Sequence, residues 1–343
     1  MYVLRGVEKK DLTQLLELSK EAGVGMTSMP NDKATWLGRI EHSMSSFDNE
    51  LGVDEEGTYF LVLEDQETKK LLGCTAVYAN VGMNKPFYSY KVSRVVKYSR
   101  DLDQTVHMDV LHLVNDLTGT TELGSLFLTE SARRSAWGQF LSRSRYLLLA
   151  DFPHLFNKMV MAELRGWQDD KGSSPFWEDL GKKFFGLAFE NADYMTAIKG
   201  TQIISDLMPR YPIYVDLLPE SAREVVGKAH KISSAALSLL KKEGFHFLGY
   251  VDVFDAGPSY GCRRELIHSV KESETYTFIG TQKISGKLPP YIISNKRKLS
   301  YRIVMDGFIH AKEGLYLSKK TAEALELKKG DQVRILAIRE RKK

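Results

Sequence analysis

The alternation of apolar and polar residues predicts a strand and then a helix at the N-terminus. The opening MYVLRG favours a short strand, and helical spacing begins after Asp11, a residue type that often caps helices. Gly23 closes this helix, and four leucines form its apolar face: Leu12, Leu15, Leu16 and Leu18. The next segment, GVGMTSMP at 23–30, contains two glycines and a proline and is therefore predicted to be a loop.

A hairpin and a strand-turn-helix unit follow along the chain. YFLVLED at 59–65 and LLGCTAVYANVG at 71–82 are rich in β-forming residues and flank a polar turn, which predicts an antiparallel hairpin. TELGSLFL at 121–128 has the character of a strand, and helical periodicity begins at about Ser135. A further short apolar strand is expected within 159–166.

The second half of the chain mixes helices with short strands. Ser174 and Pro175 open a predicted helix over 174–185. The aromatic residues of this helix are spaced like one helical face and are expected to pack in the core: Phe176, Trp177, Phe184 and Phe185. Residues 221–259 show two helical patterns and a strand. From about residue 270, short alternating strands punctuated by Gly and Pro suggest a small β-barrel.

Composition indicates an ordinary folded protein. The 343 residues are 43% hydrophobic and 27% charged, and the length accommodates two domains. Cys74 and Cys262 lie far apart without CxxC or Cys/His ligand spacing, which argues against a disulfide framework and a metal site. Cys74, within an apolar run, is interpreted as a small buried hydrophobe. An early charged segment and the lack of any 18-residue apolar run predict a cytoplasmic protein with no membrane association.

The charge is unevenly distributed. Residues 271–343 carry 17 basic and 8 acidic side chains, so residues 1–270 are left with a net negative charge. The basic residues of the C-terminal segment are scattered and lack an aromatic RNA-binding signature, so no nucleic acid is expected as a partner. The negative balance of the longer segment mildly favours a cationic substrate.

The turn between the strand at 121–128 and the following helix is a candidate phosphate site. Backbone N–H groups and the positive end of the macrodipole lie at a helix N-terminus, which suits an anion. Side-chain charge and small residues converge on the same turn: Arg133, Arg134, Ser135, Ala136 and Gly138. A basic helix start that is simply exposed to solvent is the more common explanation of such a sequence. The interpretation as a phosphate site therefore depends on the strand before the turn and the long helix after it.

This order of elements resembles the GNAT acyltransferases, in which the pyrophosphate of coenzyme A binds backbone amides at such a turn. In the present chain Ala136 replaces the first glycine of that turn, and alanine disfavours positive φ. The resemblance implies an α/β fold of the α+β type, with a GNAT-like mixed sheet flanked by helices. We expect a catalytic domain over residues 1–265, and the small β-barrel over residues 270–343.

Longer segments resemble the arginine N-succinyltransferase family. The segments that carry this resemblance are GMTSMP at 25–30, NDLTGTTELGSLFL at 115–128, SPFW at 174–177, LMPRYPIY at 207–214 and FDAGP at 254–258. The family implies transfer of a succinyl group from succinyl-CoA, as co-substrate, to the α-amino group of L-arginine in arginine catabolism, with no permanently bound cofactor. Its succinyl-CoA contact falls on Leu126, and its catalytic histidine falls on His230.

The chemistry of acyl transfer is compatible with these two residues. Attack on a thioester requires a neutral amine and a proton carrier with a pKa near the working pH, for which histidine is best suited. Of the eight histidines, only the resemblance selects His230, and whether it acts as acid or base stays open. The main-chain N–H at Leu126 would stabilise an oxyanion without reorganisation, whereas its side chain is expected to belong to a buried strand.

Four carboxylates are candidates for the guanidinium of the substrate, because guanidinium pairs with carboxylates in bidentate geometry. They are Asp116, Glu122, Glu163 and Asp255. Asp116 and Glu163 are the chosen candidates, although each could be a solvated or capping residue. Thr27 and Ser28 could donate to the substrate carboxylate, or could form a surface turn.

Two other functions remain open. The first is a related acyltransferase that acts on ornithine, and the second is a catalytically silent acyl-CoA-binding regulatory protein that retains the fold. Replacement of the turn glycine by Ala136 keeps the second possibility open. Enzymes of this size often form symmetric oligomers, so we also expect a homo-oligomer.

Overall fold

The computed structural model describes most of the chain as a mixed α/β protein, which confirms the predicted fold class. The described residues are 1–23, 26, 28–49, 52, 55–133, 136–169, 172–189, 191–192, 195, 202–284 and 288–338. Contacts divide the chain into two units. Unit 1 comprises Met1–Ala79, Leu123–Lys158 and Arg263–Lys343, and unit 2 comprises Asn80–Glu122 and Met159–Cys262.

The described residues form sixteen strands. In chain order they are β1 (Tyr2–Gly6), β2 (Gly57–Asp65), β3 (Leu71–Ala79), β4 (Ser89–Ser99), β5 (Gln104–Val114), β6 (Thr121–Leu128), β7 (Met159–Glu163), β8 (Ile213–Tyr214), β9 (His246–Val251), β10 (Pro258–Arg263), β11 (Glu274–Thr281), β12 (Tyr291–Ser294), β13 (Arg302–Asp306), β14 (Ile309–Ala311), β15 (Gly314–Leu317) and β16 (Gln332–Ala337).

The α-helices of the described residues are short or moderate in length. They are α1 (Leu12–Ala22), α2 (Lys33–Asp48), α3 (Trp137–Asp151), α4 (Lys182–Phe185), α5 (Gln202–Leu207), α6 (Glu220–Arg223), α7 (Ser234–Lys242), α8 (His268–Glu272) and α9 (Lys319–Ala324). None of the helices within the described ranges is long and apolar enough to cross a membrane.

The sheet of unit 1 has the strand order β14-β15-β11-β16-β12-β13-β1-β2-β3-β6. Strands β2 and β3 pair antiparallel, with Val62 opposite Cys74, so the predicted hairpin is confirmed. Helix α1 is also present and ends at Gly23, whose φ of 75° suits a glycine cap. Cys74 is fully buried, and burial raises the pKa of its thiol, which confirms its interpretation as a small core residue.

Polar groups fix the N-terminal strand and the end of α3 within unit 1. Asp11 does not cap α1 through its side chain, because its carboxylate pairs with Arg5, at 2.8 Å from Nη1. Arg5 also donates through Nε to Glu64 at 2.8 Å, and all three side chains are buried. At the end of α3, the carboxylate of Asp151 accepts a hydrogen bond from Arg334 of β16 at 2.7 Å.

The C-terminal segment is rich in strands, as predicted, but its closure into a separate barrel is not confirmed. Strand β13 pairs antiparallel with β1, placing Val304 opposite Val3. Residues of the N-terminal strand and of the C-terminal segment share one hydrophobic cluster, which includes Val3, Ile293 and Leu315. The C-terminal strands therefore extend the sheet of unit 1. The expected domain division at residues 265–270 stays a prediction.

The sheet of unit 2 has the order β7-β10-β9-β4-β5-β8, and the first two residues of β6 pair parallel with β7. Its core contains an aromatic cluster around Trp177, which lies 5.4 Å from Phe254 between ring centroids. Phe176, Trp177 and Phe185 are buried as predicted, but Phe184 is 43% exposed, so that part of the prediction is wrong. A π-helical turn over Trp177–Gly181 shifts the helical phase before Phe184.

Candidate functional site

Strand β6 contains the predicted thioester contact directly after an unusual backbone conformation. Its residues alternate between buried and partly exposed, and Leu126 belongs to the partly exposed set. Ser125 has a φ of 51°, which is a left-handed conformation that non-glycine residues seldom adopt. The left-handed residue interrupts the regular pleat and changes the direction of the following peptide group. The backbone of Leu126 is therefore held in an orientation that a regular strand would not give.

The turn after β6 brings a basic residue back onto the strand end. Arg133 follows a single 3-10 turn over Glu130–Ala132. Its Nε donates to the carbonyl oxygen of Leu128 at 2.9 Å, so this arginine closes the turn while its side chain remains exposed. Arg134 and Ser135, the next two predicted contacts, lie outside the described residues.

The start of α3 has the features expected of an anion-binding helix end. Ala136 occupies the N-cap position with a φ of −69°, so alanine replaces the expected glycine here without needing a positive φ. The helix begins at Trp137 and continues through Gly138, with no acidic residue in its first turn. Unpaired N–H groups and the positive end of the macrodipole at such an end favour a negatively charged group.

His230 is anchored through both its backbone and its ring. Gly166 and Ala229 form an isolated antiparallel bridge, and the N–H of His230 donates to the carbonyl oxygen of Arg165 at 2.8 Å. The ring Nδ1 accepts a hydrogen bond from the N–H of Ile232 at 3.1 Å. Because Nδ1 is an acceptor, the hydrogen of the neutral imidazole is carried by Nε2. Nε2 of the neutral ring can therefore act as a hydrogen-bond donor.

The loop after β9 binds the same backbone that anchors His230. Asp255 accepts from the N–H of Gly166 at 2.7 Å and from the N–H of Gly257 at 2.8 Å. Gly166 approaches this loop so closely that an added Cβ would clash with the backbone oxygen of Asp255. Asp252 in turn accepts from the N–H of Asp255 at 2.9 Å. These bonds fix the loop against the segment that follows β7.

Glu163 is the last residue of β7 and lies near other carboxylates of unit 2. Ser259 is within hydrogen-bond distance of its carboxylate, at 3.3 Å. Desolvation raises the pKa of Glu163 well above its usual range, and the negative charges of Asp252, Glu122 and Asp255 raise it further. Within the described part of the chain, Glu163 has no ion-pair partner. A cation at this position would favour the ionised form of the carboxyl group, which desolvation and the neighbouring charges disfavour.

Glu122 is one of the four candidate carboxylates, although it is not a predicted site residue. It lies at the start of β6, where it pairs with Met161 of β7, and it is partly exposed. Desolvation raises the pKa of Glu122 to about 7. The carboxyl group therefore changes charge near neutral pH, which is the range in which an acid-base or cation-binding group is useful.

Asp116, the other predicted carboxylate, already has two partners. Its Oδ2 lies 3.1 Å from Nζ of Lys91 and 3.0 Å from the hydroxyl of Tyr250. The hydrogen bond from Lys91, followed by that from Tyr250, lowers the pKa of Asp116. A substrate cation would have to compete with Lys91 for this carboxylate, so the structure favours Glu163 over Asp116 as a cation ligand.

The loop predicted to contact the substrate carboxylate is described only in part. Thr27 lies outside the described residues. The carbonyl oxygen of Ser28 accepts a hydrogen bond from Arg39 of α2, which holds the loop at this helix. The role of both residues remains a prediction.

Comparison with known proteins identifies the family. The sequence profile of the family described as "Arginine N-succinyltransferase beta subunit" matches residues 2–269. The chain belongs to the arginine N-succinyltransferase family. It is therefore an acyltransferase. Relatives named arginine N-succinyltransferase include one from Escherichia coli (strain 55989 / EAEC), which is 36% identical over 98% of both chains. Another, from Yersinia enterocolitica, is 38% identical over 98% of both chains.

A solved structure supports the same fold. The arginine/ornithine succinyltransferase subunit AI from Pseudomonas aeruginosa matches with a TM-score of 0.90 and 34% identity, covering 99% of each chain. The match therefore includes the C-terminal strands as well as the rest of the sheet. The predicted family and the predicted fold class are both confirmed.

Sequence reasoning missed several residues around the predicted ones. The proximity of Asp252 to Glu163 could not be predicted, because 88 residues separate them along the chain. Nothing in this strand-like sequence predicts the left-handed conformation of Ser125. A positive φ would be expected at the glycine beside it, because glycine adopts that conformation without cost. Glu122 could have been selected from its place in a buried strand, where an acidic residue is uncommon.

Proposed function

We propose that this protein transfers the succinyl group of succinyl-CoA to the α-amino group of L-arginine. The observation that carries the proposal is its similarity, over 98% of its length, to proteins named arginine N-succinyltransferase. The expected division into a catalytic domain over residues 1–265 and a small C-terminal domain over residues 270–343 belongs to this proposal. A cytoplasmic location is also proposed, and the two buried free cysteines are compatible with a reducing compartment.

The thioester is assigned to unit 1. Leu126 provides a main-chain N–H for the carbonyl oxygen, which becomes an oxyanion when the amine attacks. The pyrophosphate of the coenzyme is assigned to the start of α3. Its contacts are the predicted ones: Arg133, Arg134, Ser135, Ala136 and Gly138. The acyl-CoA acts as a co-substrate, so the reaction needs no permanently bound cofactor.

The proton transfer is assigned to His230. The neutral α-amine attacks the thioester carbonyl carbon, the C–N bond forms, and the C–S bond then breaks. One amine hydrogen is lost overall and the departing sulfur gains one, so the products are the succinyl amide and free coenzyme A. Because Nδ1 accepts from the N–H of Ile232, Nε2 is the nitrogen that can donate to the sulfur. The neutral ring donates only a hydrogen bond through Nε2, because loss of its one N–H proton would leave an imidazolate. Transfer of a proton to the sulfur therefore requires the imidazolium form of His230, and the choice between acid and base stays open.

The guanidinium of the substrate is assigned to Glu163, with the neighbouring carboxylates contributing to the field. Glu163 has no ion-pair partner among the described residues, and its charged form is disfavoured by desolvation and by Asp252. A guanidinium would compensate both effects and could bind in bidentate geometry. Asp116 is retained as a secondary candidate, and Thr27 and Ser28 are proposed to bind the α-carboxylate. Self-association, which light scattering would measure, is also part of the proposal.

The proposal is tested by the release of free thiol from succinyl-CoA with a series of basic amino acids. We expect arginine to give the highest kcat/KM. Ornithine is the informative competitor, because the solved relative from Pseudomonas aeruginosa is named an arginine/ornithine succinyltransferase. A higher kcat/KM for ornithine than for arginine would show that ornithine, and not arginine, is the preferred substrate. Binding of coenzyme A without thiol release from any of these amines would support the silent acyl-CoA-binding protein instead.

His230→Ala tests the proton-transfer step. General acid–base catalysis by a positioned side chain contributes roughly 10²–10⁴-fold, so kcat should fall by about that factor while the affinity for arginine changes little. His246→Ala, which alters an exposed histidine of β9 in the same unit, is the matched control and should retain full turnover. Unchanged kcat in His230→Ala would remove this residue from the mechanism.

A further inference from the structure

The left-handed residue of β6 is a serine, although a glycine stands immediately before it. Ser125 has a φ of 51° and is 3% exposed. A side chain at such a φ is disfavoured relative to glycine, so other contacts must hold the serine in this conformation. Gly124 serves a different purpose, because an added Cβ there would lie only 2.7 Å from Cε2 of Tyr78. The missing side chain leaves room for the tyrosine ring.

Two side chains of the neighbouring strand β3 bind both polar ends of Ser125. The hydroxyl of Tyr78 lies 2.7 Å from Oγ of Ser125. The thiol of Cys74 donates to the carbonyl oxygen of the same serine at 3.4 Å. These contacts restrain the side chain of Ser125 and the peptide group that follows it.

That peptide group is the one that contains the N–H of Leu126. A trans peptide is planar, so the carbonyl oxygen of Ser125 and the N–H of Leu126 point in opposite directions within one plane. Fixing the oxygen through Cys74 therefore fixes the direction of the N–H. If Ser125 relaxed into the ordinary extended region, this plane would rotate and the N–H would turn with it.

We infer that Tyr78 and Ser125 are positioning residues that hold the main-chain N–H of Leu126 in the direction needed to polarise the thioester carbonyl. This inference rests on the proposed function, which assigns that N–H to the carbonyl oxygen. The hydroxyl of Tyr78 keeps Ser125 in its left-handed conformation, and neither side chain needs to contact the substrate. An N–H group that points in the wrong direction stabilises the oxyanion much less, because such donors act only when they are correctly oriented beforehand.

Substitutions at Ser125 separate this role from a simple packing role. Tyr78→Phe and Ser125→Ala each remove the hydrogen bond but keep a residue that disfavours positive φ, and we expect kcat to fall on the order of tenfold or more in each. Ser125→Gly also removes the hydroxyl, but glycine adopts positive φ without cost, so kcat should stay within about twofold of the wild-type value. The kcat of the double variant Tyr78→Phe/Ser125→Gly should equal that of Ser125→Gly, because glycine no longer needs the tyrosine hydroxyl to adopt positive φ.

A matched control removes a different tyrosine hydroxyl of the same unit. Tyr59 of β2 is fully buried, and its hydroxyl has no hydrogen-bond partner among the described residues. Tyr59→Phe should therefore leave kcat unchanged. The affinity for coenzyme A should be similar in all variants, since the inference concerns the reacting carbonyl and not the nucleotide. The inference is overturned if Tyr78→Phe keeps full kcat, or if Ser125→Gly loses as much activity as Ser125→Ala.

An activity-independent measurement distinguishes failure of this inference from failure of the proposed function. The probe is a dethia analogue of succinyl-CoA, in which a methylene replaces the sulfur and the carbonyl is retained. Its binding should shift the Leu126 amide proton resonance downfield in the wild-type protein and in Ser125→Gly, but not in Tyr78→Phe. Equal shifts in all three proteins would refute the positioning role. Absence of thiol release by the wild-type protein with every amine would instead refute the proposed function.

Discussion

Glu122 provides a direct test of the electrostatics of unit 2. The carboxyl group lies at the start of β6, where desolvation raises its pKa to about 7. Among the described residues it has no ion-pair partner that would compensate its charge. The substitution Glu122→Gln keeps the size and shape of the side chain and removes the titration. We expect the variant to be more stable than the wild-type protein above neutral pH.

The sign and the size of this effect follow from proton linkage. The unfolded chain releases the Glu122 proton near pH 4.5, whereas the folded chain retains it until about pH 7. The free energy of unfolding therefore falls as the pH rises through this interval, and it is unaffected by this group below it. One pKa unit corresponds to about 1.4 kcal/mol, so the full loss is about 3 kcal/mol. The raised pKa of Glu163 acts in the same direction.

Urea unfolding between pH 4 and pH 8 measures this difference. The wild-type protein should lose about 3 kcal/mol more than Glu122→Gln across the interval. Glu224→Gln, which neutralises an exposed carboxylate of the same unit, should follow the wild-type curve. Parallel curves for the wild-type protein and Glu122→Gln would show that this carboxyl group is solvated, and the electrostatic argument for a cation site would lose its main support.

Two further substitutions test the internal packing of each unit. Arg5→Met leaves the buried Asp11 without its cation and leaves Glu64 with only the exposed Lys69, so it should lower the free energy of unfolding by about 3–5 kcal/mol. Lys9→Met, in an exposed ion pair, should change it by less than about 1 kcal/mol. Equal urea midpoints for the two variants would contradict this. Gly166→Ala places a methyl group against the backbone oxygen of Asp255, so thermal melting should occur at a lower temperature, and an unchanged melting temperature would show that the loop can move aside freely.

Hydrophobic periodicity predicted the elements whose buried faces are apolar. Helix α1 and the β2–β3 hairpin follow the pattern closely. Helix α2 was missed because part of its buried face is polar: Ser43 and Ser46 are buried and accept backbone hydrogen bonds from Phe60 and Thr58, each at 3.0 Å. A pattern that counts apolar residues treats such serines as breaks in the helix face, so it cannot detect this kind of packing.

The candidate site shows the same division between local and long-range information. The turn at Arg133 and Gly138 is local, and its position between a strand and a helix was predictable from the order of elements. The anchoring of His230 depends on the carbonyl of Arg165, which is 65 residues away along the chain. Only the family resemblance selected this histidine, since sequence spacing gives eight histidines equal standing.

The discontinuity of unit 1 has a consequence for synthesis on the ribosome. Strand β1 is among the first segments to emerge, but its partner β13 is translated about three hundred residues later, when Val304 can pair with Val3. At about 5–20 residues per second, one edge of β1 waits roughly 15–60 s for its neighbour. During that time the nascent chain exposes one unpaired edge of an apolar strand. The nascent chain therefore needs protection from aggregation until translation is almost complete.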